Sequence, residues 1–476
     1  MGPEAWGLAP GGSGSHASPH DRRLVAVGLA SVTATALVAN CLFLGTKSIW
    51  LDEASSVDYA LRGPLAGMTQ ILTSDPNMSL YYALLGAWVK LAGSSEIAIR
   101  IPSAVCAALT APLVYLLGAR LLGRSTGLLA GMLFALNAFI VHYGQTARAY
   151  ALVTFLVTAA TWLFVAELDR PSRLTRFAYV VTGALAFYAH LFAGLALVAH
   201  LVALLVIRGR SAFTRDTAFV AGSLAVLCAP MVFLVARVGD VNYTWIPQPG
   251  LATVLATFFE FAGASVLLFF VVVALVIQGA VALARERDRV PAAVLLAWLL
   301  VPVAVAFVLS QVKPLYQVRY FIGSVPAFML IAAEGLKRLR GRFVGATGTL
   351  AVLGLSVAAV GNWYREESRE DWRAAVNWIT PLVHQGDGIV FMPPYAGGPF
   401  RYYEARLHAP HADSLSTNGA SGRERVWLVT SPVHAARFPR ELGEVRAALS
   451  AFHRLEAQES FKEVEIALFV RVHQEP

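Results

Sequence analysis

The sequence predicts a polytopic α-helical membrane protein with a small soluble α/β domain at its C-terminal end. Three observations predict it. Of the 476 residues, 57% are hydrophobic and only 14% are charged, against about 25% charged in a soluble protein. Several apolar runs approach or exceed the ~20 residues that a helix needs to cross a bilayer. From Asn362 onward those runs stop and polar residues return. The formal charge of +8 does not point to nucleic acid. The arginines cluster in short loops between apolar runs, which is the mark of cytoplasmic loops. Cys41, Cys106 and Cys228 all lie in apolar runs, with neither metal-ligand spacing nor a disulfide framework.

Residues 1–22 are rich in Gly, Ser, Pro and His and read as a disordered cytoplasmic tail. The run 23–45 follows Arg22 and Arg23. It is longer than a signal-peptide core and lacks a cleavage pattern, so it reads as the first span. The first outer loop, 46–97, opens with Ser48-Ile-Trp-Leu-Asp-Glu-Ala-Ser-Ser-Val-Asp58. As a helix, this places Trp50, Ala54, Val57 and Leu61 on one face and Asp52, Ser56 and Tyr59 on another. Such a helix lies at a membrane interface, although paired acids also suit any helix N-terminus. Residues 79–92 are apolar but short, and read as an interfacial or re-entrant helix. Ten more spans follow near 98–119, 126–143, 149–166, 176–190, 191–207, 217–237, 264–284, 291–311, 320–336 and 343–361, making about eleven. Only the break at His190 separates the short runs 176–190 and 191–207.

Alternating loops carry the basic residues: Arg120 and Arg124; Arg170, Arg173 and Arg176; Arg208, Arg210 and Arg215; Arg285, Arg287 and Arg289; and Lys337 to Arg342. The intervening short loops carry only Arg148, Arg237, Lys313 and Arg319. This bias puts the N-terminus in the cytoplasm and, with an odd number of spans, the C-terminal domain outside. That domain, 362–476, shows an amphipathic helix over 369–379, strands at 388–392, 425–430 and 464–470, and a helical pattern around 439–455. The membrane domain is then 23–361. A composition rich in Ala, Leu, Val and Arg is that of many bacterial proteins, so the expected location is a bacterial inner (plasma) membrane.

The unusual polar features fall on the outer side. They are Asp52 and Glu53; Asp75 and Asn77 before Tyr81 and Tyr82; His142 to Tyr150, with Gln145 and Arg148; Tyr188 and His190; Asn242 to Pro247; and Lys313 to Tyr320, with Arg319. Ionisable groups at membrane depth are costly and mark functional sites. A sugar carried on a lipid phosphate would need this set. Arg148, Lys313 and Arg319 are the scarce cations that would neutralise the phosphate as it leaves. Asp52 would accept the proton of the incoming hydroxyl. A phosphodiester leaves readily, so one base and one phosphate clamp suffice for a single inverting displacement. Each residue also has a plainer reading. The cations can snorkel to headgroups, the aromatics can form an interfacial belt, and His142 and His200 can be structural. What favours chemistry is that rare acids and cations share one side. The competing function is a binding or flipping protein for a lipid-linked sugar. It would instead place polar groups at mid-membrane depth.

The ordered set of motifs resembles the GT-C superfamily of membrane glycosyltransferases. The resemblance is to bacterial relatives of dolichyl-phosphate-mannose protein mannosyltransferases and of the lipid A aminoarabinose transferase. Trp50-Leu-Asp-Glu53 resembles the acidic motif of the first outer loop. Asp75-Pro-Asn-Met-Ser-Leu-Tyr-Tyr82 resembles the segment after it. Ser95-Glu-Ile-Ala-Ile-Arg-Ile-Pro-Ser103 resembles the start of the second span. Tyr143-Gly-Gln-Thr-Ala-Arg-Ala-Tyr150 resembles a Ser-Gln-Glu-Ala-Arg-x-Tyr motif, and Tyr188-Ala-His190 a Tyr-x-His turn. Arg319-Tyr320 with Pro326 resembles a late outer-loop motif, and Glu370-Asp-Trp-Arg373 the start of the outer domain. The resemblance implies a polyprenyl-phosphate sugar donor and a glycan, lipid or protein acceptor. It implies Asp52 as base, with Glu53 placing the acceptor. It places Arg148 and Arg319 near the donor phosphate; Lys313, Tyr320, Asp75, Tyr82, Gln145 and His190, from the outer-side polar set, are assigned with them to the donor phosphate and sugar. Asn77 stands where His is common, and Thr146 where Glu is common. No cofactor is assigned on these grounds, and a divalent cation stays open.

Overall fold

A computed structural model describes residues 19–62, 64–74, 76–238, 246–366, 369–407 and 412–472. In chain order the first helices are α1 (Pro19–Cys41), α2 (Leu51–Leu61), α3 (Pro64–Ser74), α4 (Ser79–Ala92), α5 (Glu96–Leu121), α6 (Arg124–Ala135), α7 (Ala138–Gly144) and α8 (Tyr150–Asp169). Then come α9 (Arg173–Ala189), α10 (Ala193–Arg208), α11 (Arg215–Val238), α12 (Leu251–Phe261), α13 (Val266–Arg285), α14 (Arg289–Leu309), α15 (Val325–Lys337) and α16 (Arg342–Arg365). The chain divides into two compact units. One holds the described residues up to Leu42, Arg62–Gly93 and Ala98–Arg365; the other holds Phe43–Leu61, Ser94–Ile97 and the described residues from Glu366.

The first unit is a helical membrane bundle. Among the described residues nine helices are long and apolar enough to cross a bilayer, and a tenth if α6 and α7 count as one bent span. The eleventh expected span is α9, whose 17 residues rise only about 26 Å. The expected span 126–143 is bent by 57° between α6 and α7. Asn137 causes the break. Its Oδ1 accepts from Ile140 N at 3.0 Å and caps α7, while its Nδ2 donates to the Phe261 carbonyl at 2.8 Å. Of the expected tail 1–22, residues 1–18 lie outside the described residues, and 19–22 already belong to α1.

Ion pairs tie together loops that the sequence assigns to one side. Arg124 reaches Asp21 at 2.5 Å, Arg120 reaches Asp169 at 2.7 Å, and Arg338 reaches Glu286 at 2.6 Å. Arg176 bridges Glu167 at 2.9 Å and Asp216 at 2.5 Å. Small residues let helices approach closely. A Cβ on Gly335 would lie 1.9 Å from the Leu275 carbonyl oxygen, and one on Gly279 2.1 Å from that of Ile331. The α13–α15 crossing therefore admits only glycine at these positions.

The second unit contains a five-stranded sheet. Its strands are β1 (Gly388–Met392), β2 (Asp413–Ser414), β3 (Arg425–Thr430), β4 (His453–Phe461) and β5 (Val464–Arg471), in the order β2-β1-β3-β5-β4. β1 runs parallel to β2 and β3, whereas β3–β5 and β5–β4 are antiparallel. Val390, Met392, Val426, Leu428 and Phe469 pack with Val445 and Leu449 of a helix at Pro439–Ser450. The helical pattern expected around 439–455 thus ends at Ser450, and β4 takes over. β4 is an edge strand with mostly exposed side chains, so its sequence shows no apolar alternation. The helix Trp372–Ile379 buries Trp372, Val376 and Ile379 and sets Trp378 against Trp427.

Candidate active site

In the second unit, the acid loop and the segment after Glu366 are one structure. α2 begins at Leu51, so Asp52 and Glu53 occupy its first turn, where a helix N-terminus favours negative charge. The buried stripe of α2 is Glu53, Ala54, Ser56, Val57 and Ala60. Glu53 is turned inward at 1% exposure and Asp52 is half-buried. Leu61, expected on the apolar face, is exposed.

The residues that hold this helix lie more than 300 positions away. Glu370 is 5% exposed. Its Oε2 accepts from Leu51 N at 3.2 Å and from Trp372 Nε1 at 2.5 Å, and its Oε1 meets His434 Nε2 at 3.1 Å. A carboxylate therefore caps α2 one residue before Asp52. Arg373 Nη2 donates to Glu96 at 2.6 Å and to the Gly45 and Lys47 carbonyls at 3.0 and 3.3 Å, while Nη1 donates to the Thr46 carbonyl at 3.2 Å. Tyr403 OH donates to Glu96 at 2.5 Å and accepts from Ile49 N at 2.8 Å. Burial, and then the Glu96 carboxylate, push the Tyr403 phenol up to about 12, so it stays a donor. Arg369 lies 4.7 Å from the Trp50 ring centroid. In the sequence, Glu370-Asp-Trp-Arg373 marks only the start of a domain; its grip on the acid loop was not legible there.

In the first unit, several expected donor-site residues come together. Arg148 is 8% exposed and its Nη1 donates to Tyr82 OH at 3.1 Å. Ser103 Oγ donates to the Arg148 carbonyl at 3.2 Å and meets Tyr81 OH at 3.2 Å. His190 sits in the turn between α9 and α10, 1% exposed. Its ring centroid is 4.7 Å from Tyr320 and 5.9 Å from Tyr150. Phe192 N donates to His190 Nδ1 at 3.2 Å, so the ring proton resides on Nε2. That nitrogen is buried and has no hydrogen-bond partner among the described residues. Burial, then the charges of Arg148 and Arg319, push the His190 pKa down to about 3. The ring is a neutral N–H donor beside two guanidinium groups. Asn77 Oδ1 accepts from Leu191 N at 3.0 Å and fixes the His190 turn, which gives this departure from the family motif a definite task.

Other expected residues are placed differently. Gln145 is a strap rather than part of this cluster. Its Nε2 donates to the Asn40 and Leu42 carbonyls at 3.3 and 2.7 Å, and its Oε1 accepts from Trp363 at 2.9 Å. Thr146 bonds back to the His142 carbonyl at 2.7 Å. Arg319 is half-buried and Lys313 exposed. His142 stacks on Trp363 at 4.1 Å. His200 is satisfied by Thr161 at 2.9 Å and Tyr179 at 3.0 Å. Asp75 and residues 242–245 lie outside the described residues. Arg100 is a buried cation that sequence reasoning passed over, at 3% exposure. It shares a helix face with Ser103. Among the described residues no cluster of three or more His, Cys, Asp or Glu side chains could hold a metal.

Residues 76–235 match the family model of dolichyl-phosphate-mannose-protein mannosyltransferases. That stretch holds Tyr82, Arg148 and His190, but neither Asp52 nor Arg319. The fold is similar to ArnT from Cupriavidus metallidurans in the apo state, with a TM-score of 0.63 at 13% identity over 94% of this chain and 98% of that one. ArnT bound to undecaprenyl phosphate gives 0.62 at 12% identity over the same shares. The archaeal oligosaccharyltransferase AglB from Archaeoglobus fulgidus, in complex with an inhibitory peptide and a dolichol-phosphate, gives 0.55 at 13% identity over 94% of this chain and 74% of that one. No curated protein matches the chain in sequence. The chain has the GT-C fold of membrane glycosyltransferases.

Proposed function

We propose that the protein is an inverting glycosyltransferase that moves a sugar from a polyprenyl-phosphate donor to an acceptor hydroxyl. We place the reaction on the extracytoplasmic side of a bacterial plasma membrane. The observation that carries this reading is the buried, unpartnered Nε2–H of neutral His190 beside Arg148. Donors so placed and desolvated favour a phosphate oxygen, above all as charge builds on it. ArnT and AglB, which share the fold, have been seen with undecaprenyl phosphate and dolichol-phosphate.

In this mechanism Asp52 accepts the acceptor's hydroxyl proton while the oxygen attacks the anomeric carbon on the face opposite the phosphate. The bond from that carbon to the phosphate oxygen breaks, and polyprenyl phosphate leaves with the electron pair. Arg148, Arg319 and Lys313 neutralise it, His190 donates a hydrogen bond to it, and Tyr82 orients Arg148. Tyr320 and Asp75 line the sugar, Glu53 places the acceptor, and the C-terminal domain shapes the acceptor side. Gln145 acts on the donor site through its strap to Asn40, Leu42 and Trp363. The test follows label from a panel of radiolabelled polyprenyl-phosphate sugars in membranes carrying the wild type or Asp52→Asn. Turnover of one donor that falls about 10²- to 10⁴-fold in Asp52→Asn supports the reading. Equal turnover by folded Asp52→Asn overturns the assigned base. Donor binding without turnover, in the presence of cell-envelope acceptors, favours a binding or flipping protein.

A further inference from the structure

A groove of about 970 Å³ opens between α9, α10 and α11, and no residue of the Arg148–His190 cluster is among its lining. α11 buries only Met231 among its 24 residues, so it stands off from the bundle and leaves the space beside it. Along α11 the lining runs from Asp216 to Ala236, about 30 Å of helix. This matches the ~30 Å hydrocarbon thickness of a bilayer. Leu197, Leu201 and Leu224 line its length, and Phe187 and Phe233 its far end. The polar groups on its floor, His200 and Tyr179, satisfy each other at 3.0 Å and ask nothing of an occupant. All four charged lining residues, Glu167, Arg176, Arg208 and Asp216, lie at one end.

Those charges are arranged as two poles. Arg176 is shared by Glu167 and Asp216, so that trio carries a net negative charge. Arg208 is exposed and makes no ion pair among the described residues. An apolar slot of bilayer length, with a negative and a positive pole at one mouth, complements a zwitterionic phospholipid. We infer that this groove holds a phosphatidylethanolamine, with its phosphate on Arg208, its ammonium on the Glu167–Asp216 side, and its acyl chains along α11. A polyprenyl phosphate fits less well, because its head is wholly anionic and the charged side chains that line the groove itself, Glu167, Arg176, Arg208 and Asp216, balance one another.

The test equilibrates the purified full-length protein with vesicles of phosphatidylethanolamine, phosphatidylglycerol and undecaprenyl phosphate, then identifies retained lipid by native mass spectrometry. Phosphatidylethanolamine retained by the wild type and lost in Ala225→Trp, which fills the groove from an exposed position, supports the inference. Asp216→Asn makes the mouth net positive and should shift retention toward phosphatidylglycerol roughly two- to fivefold. Preferential retention of phosphatidylglycerol or undecaprenyl phosphate by the wild type overturns the inference. So does unchanged retention in folded Ala225→Trp. If Ala225→Trp does not fold, Asp216→Asn decides alone, and an unaltered lipid ratio overturns it.

Discussion

Glu370 offers one carboxylate oxygen to the N–H of Leu51 and the indole of Trp372, and the other to His434. Its partners are buried or half-buried, so these bonds are charge-assisted and weakly screened. Glu370→Gln keeps the shape and loses the charge, which should cost about 1.5–3 kcal/mol of local order. The expected outcome is a roughly tenfold lower kcat at unchanged donor KM, since the residue touches α2 rather than the donor. A raised KM at full kcat would contradict the assignment. His190 makes a different prediction, about pH. Its pKa is near 3 in the folded protein, against ~6.5 unfolded. Below pH 6.5 the unfolded chain binds a proton that the folded chain refuses, so stability falls with pH. Between pH 7 and pH 5 the loss from this residue is up to about 2 kcal/mol, and thermal melts of His190→Gln should show a shallower acid decline than wild type. Residues differ in how far the sequence reveals them. Asp52 and Glu53 stand out because two acids follow an apolar run. Gln145's strap was not legible, because its partners, Leu42 and Trp363, are brought to it only by tertiary folding.

Helices were legible wherever length and apolarity alone decide the outcome, as in α5, α8, α13 and α14. The α6–α7 bend was not, since it hangs on Asn137 capping α7 and bonding Phe261, a partner 124 positions away. β4 was missed because an edge strand gains its order from backbone pairing with β5 and not from an apolar face. The α13–α15 crossing was invisible for a related reason: glycine in a helix reads as a weakness until the neighbouring helix is seen against it. Gly335→Val should therefore be far worse than its loss of flexibility implies. The new Cβ would meet the Leu275 carbonyl, a backbone atom that cannot rotate away. Overpacking typically costs about 1–3 kcal/mol, and a backbone clash belongs at or above the top of that range. The measurement is folded yield and melting temperature in detergent. Gly345→Val, at a position with open space around it, serves as the control and should leave both nearly unchanged.

The sequence divides the chain by composition, at about residue 362, whereas the folded units divide it by contact. Phe43–Leu61 and Ser94–Ile97 belong with the chain from Glu366, although an apolar run adjoins each in sequence. Composition could not show this, because the bonds responsible join carbonyls of 45–47, a short acid helix and Glu96 to Arg373, Tyr403 and Glu370. The second unit is therefore discontinuous, and it should not be separable by a single cut. Residues 366–476 expressed alone lack α2 and Glu96, leaving Arg373 and Tyr403 without their acceptors and the buried Glu370 without Leu51. Orphaned polar groups of this kind cost about 1–3 kcal/mol each, and several together exceed a fair part of a small domain's ~5–15 kcal/mol stability. The fragment should show no cooperative melt. The complementary truncation after Arg365 keeps every span, but frees residues 43–61 from their anchors. Limited proteolysis should then cut near α2 while the spans stay intact, and transfer activity should vanish without any change to Asp52 itself. A cooperatively folded 366–476 fragment, or a truncated chain with a protease-resistant α2, would show instead that the acid loop is ordered independently of the C-terminal segment.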